Sequence, residues 1–256
     1  MFSLFKVVFL LLPYAIYCYF VWLIRYSRHP EKYPIEMRYY ALRKVIKKVN
    51  KYANCEFKVV NQDKLPNTTC CIMSNHVGTI DPICYIDVND KPISFVAKKE
   101  ISKYPLAGRG VKALGGKFLD RQDLKQSLRV MMEVQADLEK GEKNWLIFPE
   151  GTRNKDIYAN LNEFHHGTFR APMKAKVPIV PACTFGSFKV FKKPHLKRSP
   201  IYIEYGDPLY YEDYKDMSTN EVASIIQARV QAMVNFHARK YYQERMASIN
   251  KKACIK

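Results

Sequence analysis

The chain has 256 residues, which suits one α/β domain with an appendage and is too short for two full domains. Its 42 lysines and arginines outnumber 24 acidic residues, and the resulting net charge of +18 is spread along the whole sequence. Such a surface attracts anionic partners; zinc-finger spacing, an RNA-binding aromatic run and a convincing helix-turn-helix are all lacking, so anionic membrane lipid fits better than nucleic acid.

The first predicted element is an apolar N-terminal segment. The run from Val7 to Ile24 carries no charge over 18 residues, which just reaches the length that crosses a hydrocarbon core of about 30 Å. A cleaved signal peptide would be shorter and would end in small residues, whereas Trp22, Arg25 and Tyr26 resemble an interfacial belt. The basic flank predicts that the body lies on the cytoplasmic side. Because Pro13 could bend the segment into one leaflet, the sequence predicts membrane attachment and leaves a full span open.

Next comes a basic amphipathic helix, predicted over residues 34–52. Its apolar positions recur at helical spacing among six lysines and arginines, a pattern suited to lying on lipid headgroups. Packing on the domain with the charges in water explains the pattern equally well. We therefore divide the chain into a membrane-associated part, 1–52, and an α/β domain, 53–256.

The α/β domain alternates short apolar runs with helical patterns, which predicts a mixed, largely parallel sheet flanked by helices. The predicted strands are Phe57–Val60, Thr69–Met73, Ile93–Ala97, Lys117–Leu119, Trp145–Phe148, Pro178–Thr184 and Ile201–Tyr205. Apolar residues at helical spacing predict a helix over Gln122–Lys140 that Gly141 ends. Ser218 and Glu221 form a capping-box pattern at the start of the last helix.

The seven cysteines are odd in number, lack a C-x-x-C spacing and lie mostly in apolar runs, so we expect reduced thiols in a cytosol-facing protein. A catalytic thiol at Cys70, Cys71 or Cys84 is a weaker alternative, because none has a basic neighbour in an exposed turn. The histidines are scattered, and no metal site is predicted.

A histidine and an aspartate five positions apart follow the second predicted strand. On a continuous helix His76 and Asp81 would point about 140° apart, so they need a turn between them, and Gly78 makes that turn feasible. They are a candidate general base and the acid that orients it. In the alternative, Asp81 only caps a helix that opens with Pro82, and His76 fills a polar niche.

A second polar loop, which contains Glu150, Gly151 and Arg153, follows the strand that ends at Phe148. Carboxyl ends of strands are where α/β sheets place ligands, so this loop and His76 should converge. Arg153 can grip a phosphate through two hydrogen bonds, and the amide of Gly151 can add another. A plain Glu150–Arg153 ion pair is the alternative. Lys98 is either solvated or phosphate-facing.

Four motifs occur in order: Asn75-His76 with Asp81, Phe118–Arg121, Phe148–Arg153 and Val177–Pro181. Together they resemble those of the glycerolipid acyltransferases, most closely the 1-acylglycerol-3-phosphate acyltransferases, over roughly residues 57–209. The resemblance implies transfer of an acyl chain from acyl-CoA or acyl-carrier protein to the 2-hydroxyl of lysophosphatidate, without a cofactor. It implies catalytic roles for His76 and Asp81.

The resemblance also places the second and third motifs at the acyl acceptor and its phosphate. The candidate substrate-binding residues are Asn75, Lys98, Arg121, Glu150, Gly151, Thr152 and Arg153. Two departures, Asn154 where serine is common and His165–Gly167 where a basic run is common, imply weaker phosphate binding. Two alternatives stay open: acylation of glycerol 3-phosphate or another lysophospholipid, and a non-enzymatic basic membrane-binding protein.

Overall fold

The computed structural model describes residues 13–52, 55–154, 160–190 and 199–253. The first part of the predicted apolar segment, 7–12, and Cys254 therefore lie outside the described residues. From Pro13 a helical segment continues through a π-helical turn, Tyr19–Leu23, into α1, Ile24–Arg28. None of the helices within the described ranges combines the length and apolarity needed to cross a bilayer.

A seven-stranded mixed sheet forms the centre of the described chain. Its strands are β1 Cys55–Val60, β2 Cys71–Ser74, β3 Ile93–Lys98, β4 Lys117–Leu119, β5 Asn144–Ile147, β6 Ile179–Phe185 and β7 Ser199–Tyr205. Their order is β1-β7-β6-β2-β5-β3-β4, and all neighbours are parallel except β6 and β7. The predicted fold class is confirmed, and each predicted strand matches an observed one to within two residues at either end.

Helices cover both faces of this sheet. They are α2 Ile35–Tyr52, α3 Asp81–Val88, α4 Pro105–Ala113, α5 Leu124–Lys140, α6 Arg170–Lys174, α7 Tyr211–Tyr214 and α8 Thr219–Ala253. The predicted ends of α5 and α8 are confirmed: Gly141 takes the left-handed conformation with φ 75°, and Ser218 and Glu221 form the capping box.

Side chains that alternate along the strands create two cores. Ile72 faces one core, which α2, α3 and the end of α4 cover, whereas Met73 faces the other, which α5, α6 and α8 cover. The result is a three-layer α/β/α arrangement. Its buried sheet explains why the strands read as continuous apolar runs.

The basic helix α2 packs on the domain through Tyr39, Leu42 and Ile46. The buried Arg38 fixes the position of the first turn of α2. It donates from Nε to the Tyr33 carbonyl at 3.0 Å and from Nη1 to the Ala113 carbonyl at 2.5 Å. Packing therefore explains the apolar face of α2, while its lysines point outward.

The strand directions decide where the polar loops meet. Because β2 to β6 run the same way, their carboxyl ends form one edge of the sheet. We call it the carboxyl edge. Since β1 and β7 run in the opposite direction, β1 begins at this edge and β7 ends at the other.

Candidate active site

Asn75 fastens the turn that follows β2 to the neighbouring strand β6. Its Nδ2 donates to the Thr184 carbonyl at 3.1 Å, and its Oδ1 accepts the Thr184 N–H at 2.8 Å. Asn75 is fully buried. Its amide thus continues the sheet pairing and fixes the position of the next residue, His76, so its observed contacts are structural ones.

His76 and Asp81 meet as predicted. Nδ1 of His76 lies 2.7 Å from Oδ2 of Asp81, which also accepts the N–H groups of Val77 at 2.8 Å and Gly78 at 2.9 Å. Asp81 is completely buried. A buried carboxylate with these donors is held in one orientation, so the turn is built around it.

The interpretation of Asp81 as a helix cap is wrong. The N-cap of α3 is Ile80, without a side-chain capping bond, and the Asp81 carboxylate points back to the turn that precedes the helix. Proline at the first turn still starts α3 as expected, because its fixed φ suits that position.

Ser187 completes the surroundings of Asp81 and was not predicted. It follows β6, is buried, and donates from Oγ to Oδ1 of Asp81 at 2.5 Å. Gly78 is needed here, since a Cβ on it would lie 2.5 Å from the Ser187 Oγ. No local sequence signal marks Ser187, because 106 residues separate it from Asp81.

The imidazole of His76 is held in place and yet open to solvent. Its ring stacks on Phe148 with centroids 4.4 Å apart, and 20% of its side chain remains exposed. An ionised carboxylate only accepts hydrogen bonds, so Nδ1 carries the hydrogen and Nε2 is left with a free lone pair. This is the tautomer that a general base requires.

Glu150 supports the His76 backbone. Its Oε1 accepts the His76 N–H at 2.8 Å and its Oε2 accepts the Asn162 N–H at 3.0 Å. The side chain is buried, and burial raises the pKa of this carboxyl while the two backbone hydrogen bonds oppose the rise. Within the described residues Glu150 acts as a brace for two loops, and the suggested Glu150–Arg153 ion pair does not occur.

Arg153 instead reaches the turn that contains His76 and Asp81. Its Nη1 donates to Oγ1 of Thr79 at 2.6 Å, and the Asn154 N–H donates to the His76 carbonyl at 2.7 Å. Arg153 and Thr152 are exposed. The third motif therefore lies against the first, with the guanidinium on the solvent side.

Gly151 meets two constraints at once. Its φ is +66°, and a Cβ there would lie 2.9 Å from the His165 ring. Only glycine adopts that conformation readily and leaves that space. His165 is thus packed over the third motif, whereas the sequence analysis considered it only for its effect on phosphate binding.

Two further candidates sit at the ends of β3 and β4. Lys98 pairs with Glu100 at 3.0 Å, and both side chains are about half exposed. Arg121 is exposed in the loop before α5. It lies at the carboxyl edge three strands from β2, or about 14 Å at the usual strand spacing. Contact between Arg121 and a substrate at His76 would therefore need a ligand that extends along this edge.

The three cysteines that the sequence offers as candidate nucleophiles are inaccessible. Cys70, Cys71 and Cys84 are fully buried, and burial raises the pKa of the Cys70 thiol to about 12. Cys71 and Cys84 have pKa values raised well above the ordinary range by the same cause. Such thiols stay protonated at neutral pH, so the alternative of a catalytic thiol is not supported.

Comparison with known proteins identifies the family. The sequence model described as Acyltransferase matches residues 56–184, just over half of the chain and the part that holds all four motifs. The chain belongs to the acyltransferase family. Ser187 falls just beyond the matched region of this acyltransferase domain.

Several curated relatives of this acyltransferase-family chain carry one name. The 1-acyl-sn-glycerol-3-phosphate acyltransferase of Cocos nucifera is 27% identical over 171 residues, covering 66% of this chain and 55% of the relative. A probable enzyme of that name from Mycoplasma pneumoniae is 25% identical, covering 78% and 79%. The Escherichia coli enzyme is 24% identical, covering 70% and 67%. The chain thus spans little more than half the length of the coconut relative.

A solved structure shares the fold. The 1-acyl-sn-glycerophosphate acyltransferase PlsC from Thermotoga maritima superimposes with a TM-score of 0.67, covering 91% of this chain and 90% of the other. Sequence identity is 20%, so this likeness concerns the architecture alone.

Proposed function

We propose that this protein is a 1-acylglycerol-3-phosphate O-acyltransferase that forms phosphatidate from lysophosphatidate and an acyl thioester. The observation that carries the proposal is the 2.7 Å contact between His76 Nδ1 and the buried Asp81, with the ring still accessible to solvent. The names of the relatives supply the acceptor.

The reaction follows from the tautomer of His76. Nε2 takes the proton of the acceptor 2-hydroxyl as its oxygen attacks the thioester carbonyl. A C–O bond forms, the tetrahedral intermediate collapses, the C–S bond breaks, and the thiolate receives the proton from the imidazolium. Asp81 stabilises that imidazolium and keeps the ring oriented. Direct attack by the substrate hydroxyl needs no acyl-enzyme.

Arg153 is our leading candidate for the acceptor phosphate. It is exposed and anchored to Thr79 in the catalytic turn, and the guanidinium has further N–H groups for a bidentate contact. Gly151 and Thr152 would contribute polar groups from the same loop. We propose Lys98 and Arg121 as more distant cations at the carboxyl edge, and Asn75 and Glu150 as supports of the catalytic turn.

The proposed second partner is an anionic membrane. Four exposed lysines of α2 recur at helical spacing, and they line a cleft of about 400 Å³ with neighbouring residues: Tyr40, Arg43, Lys44, Lys47, Lys48 and Lys51. The ammonium group of Lys48 lies 3.8 Å from the centre of the Tyr14 ring in the N-terminal segment. We propose that 1–52 associates with the membrane and that 53–256 forms the catalytic domain on its cytoplasmic face.

The proposed acyl donor is acyl-CoA or acyl-carrier protein. Both are anionic and would be attracted by a surface of net charge +18. The geometry of the catalytic pair is common to either donor.

The test is turnover by detergent-solubilised full-length protein supplied with 1-acylglycerol 3-phosphate and either donor. We expect both free thiol and phosphatidate, and their loss in His76→Ala that unfolds at the same temperature as the parent. Thiol without phosphatidate would show that the acceptor is wrong or that the protein is a thioesterase. If product forms only with glycerol 3-phosphate or with another lysophospholipid, that compound is the acceptor instead of 1-acylglycerol 3-phosphate. An inactive but folded parent would favour the non-enzymatic membrane-binding protein.

A further inference from the structure

Helix α5 carries a row of apolar side chains that the core does not use. Leu124, Leu128 and Met132 are exposed by 73%, 49% and 70%, whereas Val130 and Val134 of the same helix are buried. A spacing of four residues keeps the exposed row within an arc of about 80° on the helix. The apolar periodicity that predicts this helix is therefore only partly explained by the fold.

A second group of exposed apolar residues lies across the edge strand β4 from the start of this row. Tyr104 and Leu106, where α4 begins, are exposed by 61% and 67%. The ion pair between Lys99 Nζ and Asp120 Oδ2, at 2.9 Å, joins the segment before α4 to the loop before α5. Both groups thus flank the edge strand β4 at the carboxyl edge, which also holds His76.

A row of cations runs alongside the apolar row. Arg121, Lys125 and Arg129 are exposed, each four residues from the next. Nearby acidic groups have other partners in the described structure. Asp120 pairs with Lys99, Asp123 caps α5 by accepting the Gln126 N–H, and Glu133 pairs with Lys117. Apolar and cationic rows side by side are typical of helices that lie in the interface of an anionic bilayer.

We propose that this face, which we call the α5 face (Tyr104, Leu106, Leu124, Leu128 and Met132 with the cation row), docks into the headgroup region of an anionic bilayer. The leucines and methionine enter the acyl boundary while the cations contact lipid phosphates. The inference rests on the proposed function, since docking would bring the carboxyl edge and His76 to an acceptor that resides in the bilayer. It assigns the contact to the catalytic domain, in addition to the N-terminal segment.

The charge pattern favours a bilayer over a second copy of the chain. In a symmetric dimer the same surface of both copies would form the interface. The cation rows of the two copies would then lie close together and repel each other. Anionic lipid headgroups neutralise those cations instead. The other occupants, a second copy or an acidic protein, become outcomes of the test.

The first measurement locates the α5 face relative to the bilayer by tryptophan fluorescence. Full-length Leu128→Trp and Met132→Trp are bound to vesicles of equal phosphatidylglycerol and phosphatidylcholine that carry nitroxide on their acyl chains. We expect a blue shift and quenching beyond those of the parent, which has Trp22 and Trp145. The matched control is Tyr210→Trp. That residue is exposed and follows Leu209, which bridges to Ile179 at the opposite end of β6 from Ser187.

Emission from the two variants that is no more quenched than that of Tyr210→Trp, in protein shown to be vesicle-bound, would overturn the proposal. Self-association that buries the introduced tryptophans without lipid would also overturn it and assign the face to a second copy. Neither readout depends on turnover, so the docking inference and the proposed function fail separately.

The second measurement separates docking from catalysis. The triple variant Leu124→Ser, Leu128→Ser, Met132→Ser changes only exposed side chains, so its melting temperature should stay near that of the parent. We expect about a tenfold loss of turnover on long-chain lysophosphatidate in vesicles and parental turnover on a soluble short-chain acceptor. The control, Tyr210→Ser, alters an exposed aromatic residue at the opposite end of β6 from Ser187 and should retain both activities. Equal losses on the two acceptors would contradict a docking role.

Discussion

At the scale of residues, the site depends on a carboxylate whose donors come from two parts of the chain. Oδ2 of Asp81 binds its own turn, including His76, whereas Oδ1 binds Ser187 after β6. An aspartate held by the turn alone could rotate about its side-chain bonds. The hydroxyl of Ser187 fixes the second oxygen, so the sheet itself sets the direction in which His76 presents Nε2.

We predict that Ser187→Ala lowers kcat about tenfold and leaves KM within twofold of the parent. The change removes a hydrogen bond to a charged group, which is worth about 1.5–3 kcal/mol, and disturbs the orientation of the base without touching the acceptor. The measurement is steady-state thiol release over a range of pH, with melting temperature as the check on folding. An orientation role should also shift the acid limb of the pH–rate profile.

A matched control is Ser224→Ala, which removes an exposed serine hydroxyl on α8 that bonds only its own helix. It should leave kcat unchanged. Gly78→Ala would place a methyl group 2.5 Å from the Ser187 hydroxyl and should reproduce the kinetic defect of Ser187→Ala. Full activity in both site variants would mean that Asp81 is held adequately by its own turn.

Glu150 yields a prediction for stability against pH. Burial raises its pKa in the folded protein above the ordinary value of 4.5. The folded state thus binds this proton more tightly than the unfolded chain does, so the stability from Glu150 is present below pH 4.5 and is lost as the pH rises through the folded pKa. We expect the free energy of unfolding of the parent, relative to Glu150→Gln, to increase as the pH falls from 7 toward 4.5.

Urea unfolding of the two proteins in parallel measures this difference. The contributions of groups that titrate in both proteins cancel when the two free energies of unfolding are subtracted. A difference that stays constant would show that the two backbone donors cancel the effect of burial on the pKa of Glu150. A difference that decreases toward acid pH would show that the donors outweigh burial and that this pKa lies below its ordinary value.

At the scale of elements, the sequence was informative wherever local chemistry decides the structure. Apolar runs between turns located the strands, and Gly141 ended α5 because a left-handed residue can close a helix. The antiparallel pairing of β7 was beyond such reasoning, since strand order depends on long-range packing. For the same reason, the contact between Ser187 and Asp81 and the exposure of the apolar row on α5 could not be predicted from the sequence.

The loop after β5 supplies a test of backbone constraint. We predict that Gly151→Ala lowers the free energy of unfolding by about 1–3 kcal/mol, because an L-residue is strained at φ +66° and its Cβ would press on His165. Activity should fall as well, because this loop braces the His76 backbone through Glu150. The measurement is urea unfolding combined with kcat.

Gly110→Ala is the control for this change. Gly110 lies within α4, and a Cβ there meets no described atom within 4 Å. It should stabilise the protein by about 0.5–1 kcal/mol, since alanine favours helix and restricts the unfolded chain. Equal effects of the two substitutions would contradict the role assigned to the Gly151 conformation.

At the scale of the whole molecule, the cationic and apolar surfaces converge on the edge that holds His76 and Asp81. Helix α2, with its lysines, leads into β1, which begins at the carboxyl edge, and α5 starts at that edge after β4. A sheet that is buried on both faces leaves this edge as the natural site for a ligand. A bilayer that meets the protein there would contact both helices and face His76.

The last prediction concerns the lysines of α2. Changing Lys44, Lys47, Lys48 and Lys51 to glutamine should weaken binding to vesicles that contain phosphatidylglycerol, because each basic residue near such a surface contributes about 1 kcal/mol. Salt screens this attraction, which decays over about 8 Å at physiological ionic strength, so the loss should be large at low salt and small at high salt. Cosedimentation with vesicles at several salt concentrations measures it.

The control removes the same amount of charge from the edge of the sheet opposite the carboxyl edge, through glutamine at the exposed cations Lys112, Lys140, Lys174 and Lys215. If overall charge governed binding, the two variants would weaken it equally, because both lower +18 by four. A larger effect of the α2 changes would show that the carboxyl edge faces the membrane. The lysines of α2 also lie beside the N-terminal segment, since Lys48 contacts the Tyr14 ring. Electrostatic attraction and apolar attachment would then hold the same end of the molecule to the bilayer.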